Sequence, residues 1–473
     1  MKRIAFGTDG WRAVMAEDFT FDNVRIVAQA IAAYLLQKEI YRQGIVVGYD
    51  NRFLSEKFAL AVAEVLAGNE IPVFLTERAT PTPVVAFAVK HFQAAGAVML
   101  TASHNPPEYN GIKFIPEYAG PAVPEVTRQI EEEVLRVLNT RDVRRLPEKD
   151  ARDRGLIRPV EPMGAYIKHL SKLIDFKAIG GAGLAVVVDP LYGAGIGYLE
   201  TILKKAGCRV EVIHGYRDPL FGGHLPDPNG NILAELRERV LETGADLGLA
   251  LDGDADRFGV IDRDGSFYRP NQILYLLLVH LVKNKGWRGR VARTVATTHM
   301  LDRIAKKYGL EVEETPVGFK YIGQSLLHRG SILGGEESGG LSIRGHLPEK
   351  DGILANLLIV ELVAVTGKSL QEITDEVGRE VGLLISERLD LPVSPEEKER
   401  ILQELRGWMP EEIGGQKVIR RVTVDGGKQI MADDSWVLIR PSGTEPLFRL
   451  YVEGNSEEQV RSIQQQVREM LRL

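Results

Sequence analysis

The chain has little with which to cross-link itself. Cys208 is its one cysteine. That excludes an intrachain disulfide, leaves no thiol set for a metal, and suits the cytosol. Long apolar runs are missing too. Stretches such as Ile273 to Val282 are about half of what a bilayer requires, and this one contains His280. Met1-Lys2-Arg3 is followed by no apolar segment, so the N-terminus does not read as a signal peptide. No membrane association and a cytoplasmic location are expected. Nor does one sign of charge dominate: 59 Lys and Arg against 65 Asp and Glu give a net charge of −6. This argues against a nucleic-acid partner, which would favour a basic face, yet leaves room for a local basic pocket around an anionic ligand. What is present is ordinary for a globular protein, with 44% hydrophobic and 26% charged residues. The length of 473 residues corresponds to about three or four domains of roughly 100–200 residues.

Apolar spacing predicts alternating helices and strands. Val24 to Leu36, Phe58 to Ala67 and Glu125 to Leu138 have helical spacing, while Gly44 to Asp50, Ile71 to Leu75 and Ala94 to Leu100 read as strands. The charged stretch Thr140 to Arg158 reads as a linker. Strands over Leu184 to Asp189, Arg209 to Ile213 and Leu247 to Leu251, with a helix over Gly195 to Ala206, repeat the pattern. A third unit begins near Gly259, with helices at Ile273 to Lys283, Leu301 to Tyr308 and Ile353 to Val365 and a strand at Val291 to Ala296. Beyond Val381 the alternating stretches Lys417 to Val424 and Trp436 to Arg440, with a helix from Glu457 to Leu473, suggest a smaller α+β domain. The expected fold is α/β: three similar mixed-sheet domains in series, like a diverged repeat, plus that C-terminal domain. Expected boundaries are 1–150, 151–258, 259–375 and 376–473.

Polar loops follow these strands, where ligands of open α/β sheets sit. In Asp252-Gly253-Asp254-Ala255-Asp256-Arg257, an extended backbone would turn three carboxylates to one side. A hard divalent cation with oxygen ligands removes their repulsion. An EF-hand is excluded, because its glycine and glutamate positions hold Arg257 and Arg263. A solvated acidic loop is the bland alternative, but Gly253 and Ala255 leave space for an ion. Thr101-Ala102-Ser103-His104-Asn105-Pro106 places a candidate nucleophile, Ser103, after a buried strand. Its rival reading is a plain Ser/Asn-Pro turn. Lys113 offers proton transfer nearby, and no G-x-S-x-G elbow is present. Gly334 to Gly340 carries Glu336, Glu337 and Ser338, groups suited to sugar hydroxyls or simply to a flexible turn. Arg440-Pro441-Ser442-Gly443-Thr444-Glu445-Pro446, with Arg449, has the makings of a phosphate clamp: bidentate arginines and a backbone nest. Taken singly, Arg12 in Gly7 to Arg12 and the Asp50-Asn51-Arg52 run read as surface salt-bridge residues. Thr366 to Ser369 lacks the first glycine of a P-loop, and Gly193-Ala194-Gly195 lacks the third glycine of a dinucleotide fingerprint.

In this order, the segments Gly7 to Arg12, Thr101 to Pro106, Asp252 to Arg257, Gly335 to Gly339 and Arg440 to Pro446 resemble the α-D-phosphohexomutase superfamily, which holds phosphoglucomutases, phosphomannomutases and phosphoglucosamine mutases. The resemblance spans the chain. It implies four domains around a central cleft and an intramolecular phosphotransferase that interconverts hexose 1- and 6-phosphates through a phosphoserine. By resemblance Ser103 carries the phosphoryl group, and with Asp252, Asp254 and Asp256 it holds one Mg²⁺. Lys113 is the general acid/base, supported by His104 and Arg12. Glu336 and Ser338 read the sugar, and Lys320 and Arg257 join them in substrate binding. Arg440, Ser442, Gly443, Thr444 and Arg449 clamp the phosphate that is not transferred. Glucose 1,6-bisphosphate is the implied activator. Glu336-Glu337-Ser338 and Thr315 to Tyr321 look like phosphoglucomutase members. Glucosamine and mannose enzymes often carry Gln or Met in the middle position and His where this chain has Gly340. Glucose is therefore expected, with some mannose activity; phosphoglucosamine mutase, a metal-dependent sugar phosphatase and a non-catalytic sugar-phosphate sensor are the alternatives. Nothing in the sequence fixes an oligomeric state.

Overall fold

The computed structural model describes residues 4–7, 9–442 and 447–472. They form two compact units: Met1–Pro270 with Ser338–Leu370, and Asn271–Glu337 with Gln371–Leu473.

The first unit holds two sheets. Parallel strands Ile45–Tyr49, Val73–Thr76 and Gly96–Leu100 form the centre of the first. Their near-continuous apolar runs suit strands covered on both faces. Helices Phe21–Gln37 and Ser55–Gly68 bury Ile31, Leu35, Val62 and Leu66 in that core. Tyr109–Pro116 enters antiparallel between Gly96–Leu100 and the edge strand Trp11–Val14. The sheet is therefore mixed, and the Ser103 loop is the link between two adjacent antiparallel strands. The stretch read as a linker, Thr140 to Arg158, is not one. It contains helix Glu148–Asp153 and runs into strand Ile157–Val160, which pairs parallel with Val73–Thr76 as the sixth strand. Its charge masked a short edge element whose one fully inward anchor is Ala151, with Ile157 beside it.

The second sheet has Ala185–Asp189 parallel to both Arg209–Val212 and Leu247–Leu251, then Phe258–Asp262 and Phe267–Tyr268 antiparallel at its edge. Helix Gly352–Thr366, capped by the Asp351 side chain, packs on it, and Asn356 Nδ2 donates to the Ala250 carbonyl at 2.9 Å. That helix is apolar nearly all round and buried, as expected for one with no solvent face.

In the second unit, Arg290–Thr294 lies parallel to Glu311–Thr315 and Ser331–Gly335. The C-terminal part is an antiparallel six-stranded sheet in which Ile385–Pro392, Leu447–Gly454, Trp436–Pro441 and Gly427–Met431 are successive neighbours. Two of its strands, Gln416–Val422 and Trp436–Pro441, are the ones expected from alternation. Ile385–Pro392 alternates charge with apolar residues and is easily taken for coil. Helices Pro395–Gly407 and Glu457–Leu471 cover one face through Ile401, Ile463 and Val467. Among the described residues, no single helix is long and apolar enough to cross a membrane.

Candidate active site

Ser103 occupies the turn after strand Gly96–Leu100 with φ of +53°, a left-handed conformation that non-glycine residues enter at a cost. The surroundings over-determine it. The Ser103 N–H donates to Thr101 Oγ1 at 2.8 Å. Arg52, fully buried, donates to the carbonyls of Ser103, Asn105, Pro106 and Tyr109 at 2.6–2.9 Å. Its guanidinium is in turn paired with buried Asp50 at 3.2 Å. Arg52 and Asp50 are thus not the surface salt-bridge residues expected from the sequence. They are the internal frame of the serine loop, and the missed signal was a charged run directly following a buried strand. Arg12 is likewise no mere surface residue: half-buried on Trp11–Val14, it donates to Asn105 Oδ1 at 2.6 Å.

The Ser103 hydroxyl, 2% exposed, donates to Asp252 Oδ2 at 3.1 Å and stands 3.4 Å from His104 Nδ1. Arg257, then burial and Arg12, hold the His104 pKa well below the ordinary histidine range, so the imidazole is neutral.

Asp252, Asp254 and Asp256 are fully buried, with carboxylate oxygens within 4.8 Å of one another. The loop is not the extended segment that its alternating acids suggest. It is a succession of turns with Ala255 at φ +59° and its N–H bonded to the Asp252 carbonyl. Gly253 is required by proximity: a Cβ there would come 2.7 Å from the Ser103 carbonyl oxygen. The Gly352 N–H, at the start of the buried helix, donates to the Ala255 carbonyl at 3.1 Å. Burial, then Asp256 and Asp254, push the Asp252 pKa well up. A cation would offset both the burial cost and the repulsion among the three acids. The triad fits a hard metal ion on a second count: Asp254 Oδ1 and Asp256 Oδ1 are buried without a hydrogen-bond partner, which is costly unless something completes them.

Two ammonium groups face the triad. Lys113 Nζ lies 2.9 Å from Asp254 Oδ2 and 3.0 Å from Asp256 Oδ2 and Asp9 Oδ2. Lys350 Nζ, unforeseen from sequence, reaches Asp256 at 3.0 Å and Asp9 at 3.1 Å. Burial alone would lower the Lys113 pKa, but Asp254, Asp256 and Asp9 outweigh it and hold it well above the lysine range. Thr82, also missed, donates to Asp254 Oδ2 at 2.6 Å. Burial raises the Glu349 carboxyl, beside Lys350, to about 8. These residues lie far apart in sequence from any motif, so no local pattern announces them.

Arg257 sits 3.6 Å from Asp227, and Ser338 is half-buried in this same unit. The remaining expected residues belong to the second unit. Glu336 Oε1 accepts from the Gly318 N–H at 2.9 Å, and Glu337 Oε1 accepts from Tyr451 Oη at 3.2 Å. Lys320 lies half-buried on helix Phe319–His328 with its ammonium over the Tyr321 ring at 5.5 Å. Arg440 and Arg449 are cross-strand neighbours, paired with Asp425 at 3.2 Å and Asp390 at 3.9 Å. Buried Ser442 donates its N–H to the Leu447 carbonyl at 2.9 Å. Gly443 and Thr444 lie outside the described residues.

A buried serine on a tight turn, a carboxylate triad with unsatisfied oxygens and two flanking ammonium groups form a set suited to phosphoryl chemistry. Comparison with known proteins gives the same direction. Models of the phosphoglucomutase/phosphomannomutase α/β/α domains I, II and III match residues 3–141, 164–265 and 269–380, and the model of that family's C-terminal domain matches 393–470. The chain belongs to the phosphoglucomutase/phosphomannomutase family. A Thermococcus kodakarensis phosphoglucomutase/phosphomannomutase is 33% identical over 96% of both chains. A probable phosphoglucosamine mutase from Pyrococcus abyssi is 32% identical, over 99% of this chain and 97% of that one. A solved structure from Thermus thermophilus, bearing the name phosphomannomutase, superposes with a TM-score of 0.86 at 36% identity, covering 100% of this chain and 99% of that one. Like the family, this chain is an intramolecular phosphotransferase built of three α/β domains and a C-terminal domain.

Proposed function

We propose that the protein interconverts hexose 1-phosphate and hexose 6-phosphate, with glucose preferred and mannose accepted, through a phosphoryl group carried on Ser103. The observation that carries this reading is the Ser103 hydroxyl 3.1 Å from Asp252 inside a buried triad in which Asp254 Oδ1 and Asp256 Oδ1 lack hydrogen-bond partners. Asp252, Asp254 and Asp256, with the phosphorylated Ser103, would hold Mg²⁺, which neutralises charge at the transferring group.

The rest falls to the chain's own groups. The bond from phosphorus to Ser103 Oγ breaks as one forms to the sugar hydroxyl, and the hydroxyl proton has to leave. Held as an ammonium by its aspartates, Lys113 would give its proton to the departing Ser103 Oγ and, as the amine, take the one the sugar hydroxyl releases, and Lys350 adds a second positive charge. Neutral His104 can accept a hydrogen bond at Oγ, and Arg12 steadies the loop through Asn105. The step yields a hexose 1,6-bisphosphate, which also serves as activator. After it turns over, the other phosphate returns to Ser103. Arg440, Ser442, Gly443, Thr444 and Arg449 would hold whichever phosphate is idle, because arginine pairs match either end. Glu336, Ser338, Lys320 and Arg257 would read the sugar.

Glucosamine phosphate is the second reading, favoured by the name of the Pyrococcus abyssi relative. Against it stands Glu337 in the middle of the sugar loop, anchored to Tyr451. The test is a coupled assay with glucose, mannose and glucosamine 1-phosphates, Mg²⁺ and catalytic glucose 1,6-bisphosphate. Glucose 6-phosphate as the fastest product supports the proposal. Faster glucosamine turnover reassigns the substrate, and release of free phosphate makes the protein a phosphatase.

A further inference from the structure

One ion pair in the first unit, between a buried aspartate and a half-buried histidine, has no part in the proposed chemistry. Asp189 ends strand Ala185–Asp189 and is 1% exposed. Its Oδ1 accepts from the Leu191 N–H at 2.8 Å, and both of its oxygens stand 3.1 Å from His214 Nδ1. On the other side of the ring, Nε2 lies 3.1 Å from Glu235 Oε2 on helix Ala234–Thr243. Tyr192 packs on the imidazole at 4.6 Å between centroids, and Tyr216 meets Tyr192 edge-on. Asp189, Glu235, Tyr192 and Tyr216 are the titratable groups around His214.

The pair secures a turn that would not hold itself. Leu191 and Tyr192 both have positive φ, +44° and +58°, a conformation that persists only when its surroundings impose it. The turn touches both halves of the site. The Ala194 N–H donates to the Gly253 carbonyl at 2.9 Å. Gly193 lies so close that a Cβ would come within 2.8 Å of the Gly253 carbonyl oxygen and 2.9 Å of that of Asp252. The Asn51 amide donates to the Tyr192 and Gly193 carbonyls at 3.0 and 2.8 Å, and Arg52 next to it grips the Ser103 carbonyl.

We propose that His214 is a positioning residue: its ion pair with Asp189 holds the 190–194 turn against the Asp252–Gly253 backbone and Asn51, and so fixes the triad relative to the serine loop. This rests on the metal reading of the triad. The hydrogen bond to Asp189, against partial burial and helped by the Asp189 and Glu235 charges, raises the His214 pKa. The charged pair is therefore complete below the ordinary histidine value of about 6.5 and is lost as pH climbs through the raised one.

The test is Mn²⁺ binding by calorimetry to the full chain without substrate. Wild type should bind and Asp254→Asn should not. Equal binding by both overturns the metal reading, and the proposal with it. His214→Phe keeps the ring packing without either N–H. Near pH 6.5 it should bind Mn²⁺ roughly tenfold more weakly, the lower end for loss of a partner behind the ligands. His214→Gln, which can still donate to Asp189, should recover part. The ratio of wild-type to His214→Phe affinity should shrink as pH rises. A purely structural role would lower the melting temperature and leave the affinity of the folded protein alone, so unchanged Mn²⁺ affinity in folded His214→Phe overturns the proposal. Should His214→Phe not fold, unchanged affinity in both His214→Gln and Glu235→Gln does the same.

Discussion

Around Ser103, Lys113 and Lys350 meet Asp254, Asp256 and Asp9 at 2.9–3.1 Å, and the most exposed of these acids, Asp9, is 18% exposed. Arg440 and Arg449 meet their acids at 3.2 and 3.9 Å, and those acids, Asp425 and Asp390, are 28% and 39% exposed. Under the proposed function both regions receive a phosphate, but in opposite ways. In the first the charges are fixed by burial, and each has several partners, so the geometry is ready before substrate arrives. In the second the arginines rest on exposed carboxylates whose pairing is worth little in water, and an incoming phosphate can displace them. The proposed roles match the difference: phosphoryl transfer calls for groups held in place, and a clamp for idle phosphates calls for partners that can be replaced.

The largest break in this contrast is Ser103→Ala, which should reduce kcat by at least about 10⁴-fold, the scale seen when a covalent nucleophile is lost. Lys113→Met should follow with a loss of about 10²–10⁴-fold in kcat, measured at saturating substrate. Arg52→Met tests whether the serine region is framed from within. It leaves Asp50 buried without its partner and should destabilise that unit by about 3–5 kcal/mol in urea unfolding. Arg449→Ala should instead act on binding. It should raise KM about 10–100-fold with a smaller change in kcat, as expected for one hydrogen-bonded charge pair, and leave unfolding nearly unchanged.

The smallest effect sharpens the contrast within the second unit. There Lys428 is the exception: buried, bonded to the Val295 carbonyl and His299 at 2.7 and 2.9 Å, with burial and then Arg293 pulling its pKa down to about 7. Its unfolded value is higher, so between about pH 7 and 10 the unfolded chain binds the extra proton and stability rises with pH. Lys428→Met should flatten that rise, at most about 1.4 kcal/mol per pH unit, in melting curves across the range.

Fold class, most strands and the Asp252, Asp254 and Asp256 cluster were legible because each rests on a local pattern: a buried run ending in polar residues, or acids spaced by small residues. The Ile157–Val160 strand was not, because its partner lies about 80 residues earlier and its neighbours are charged. The shape of the Asp252 loop was misread for a related reason. Its convergence comes from turns set by Gly253 and Ala255 against the Ser103 carbonyl and helix Gly352–Thr366, contacts that alternation along a strand cannot describe. Lys350 and Thr82 had no motif to announce them, while Asp9 and Arg52 lay in runs whose aim the sequence does not show; only the fold brings them to the aspartates and the serine.

Whether Ser103 carries the phosphoryl group is read from the intact mass of the protein. Protein incubated with glucose 1,6-bisphosphate and Mg²⁺ should gain one phosphoryl mass, mapped by fragmentation to Ser103 and lost on adding glucose 6-phosphate. The same mass gained by Ser103→Ala, or none gained by an active wild type, would contradict the account.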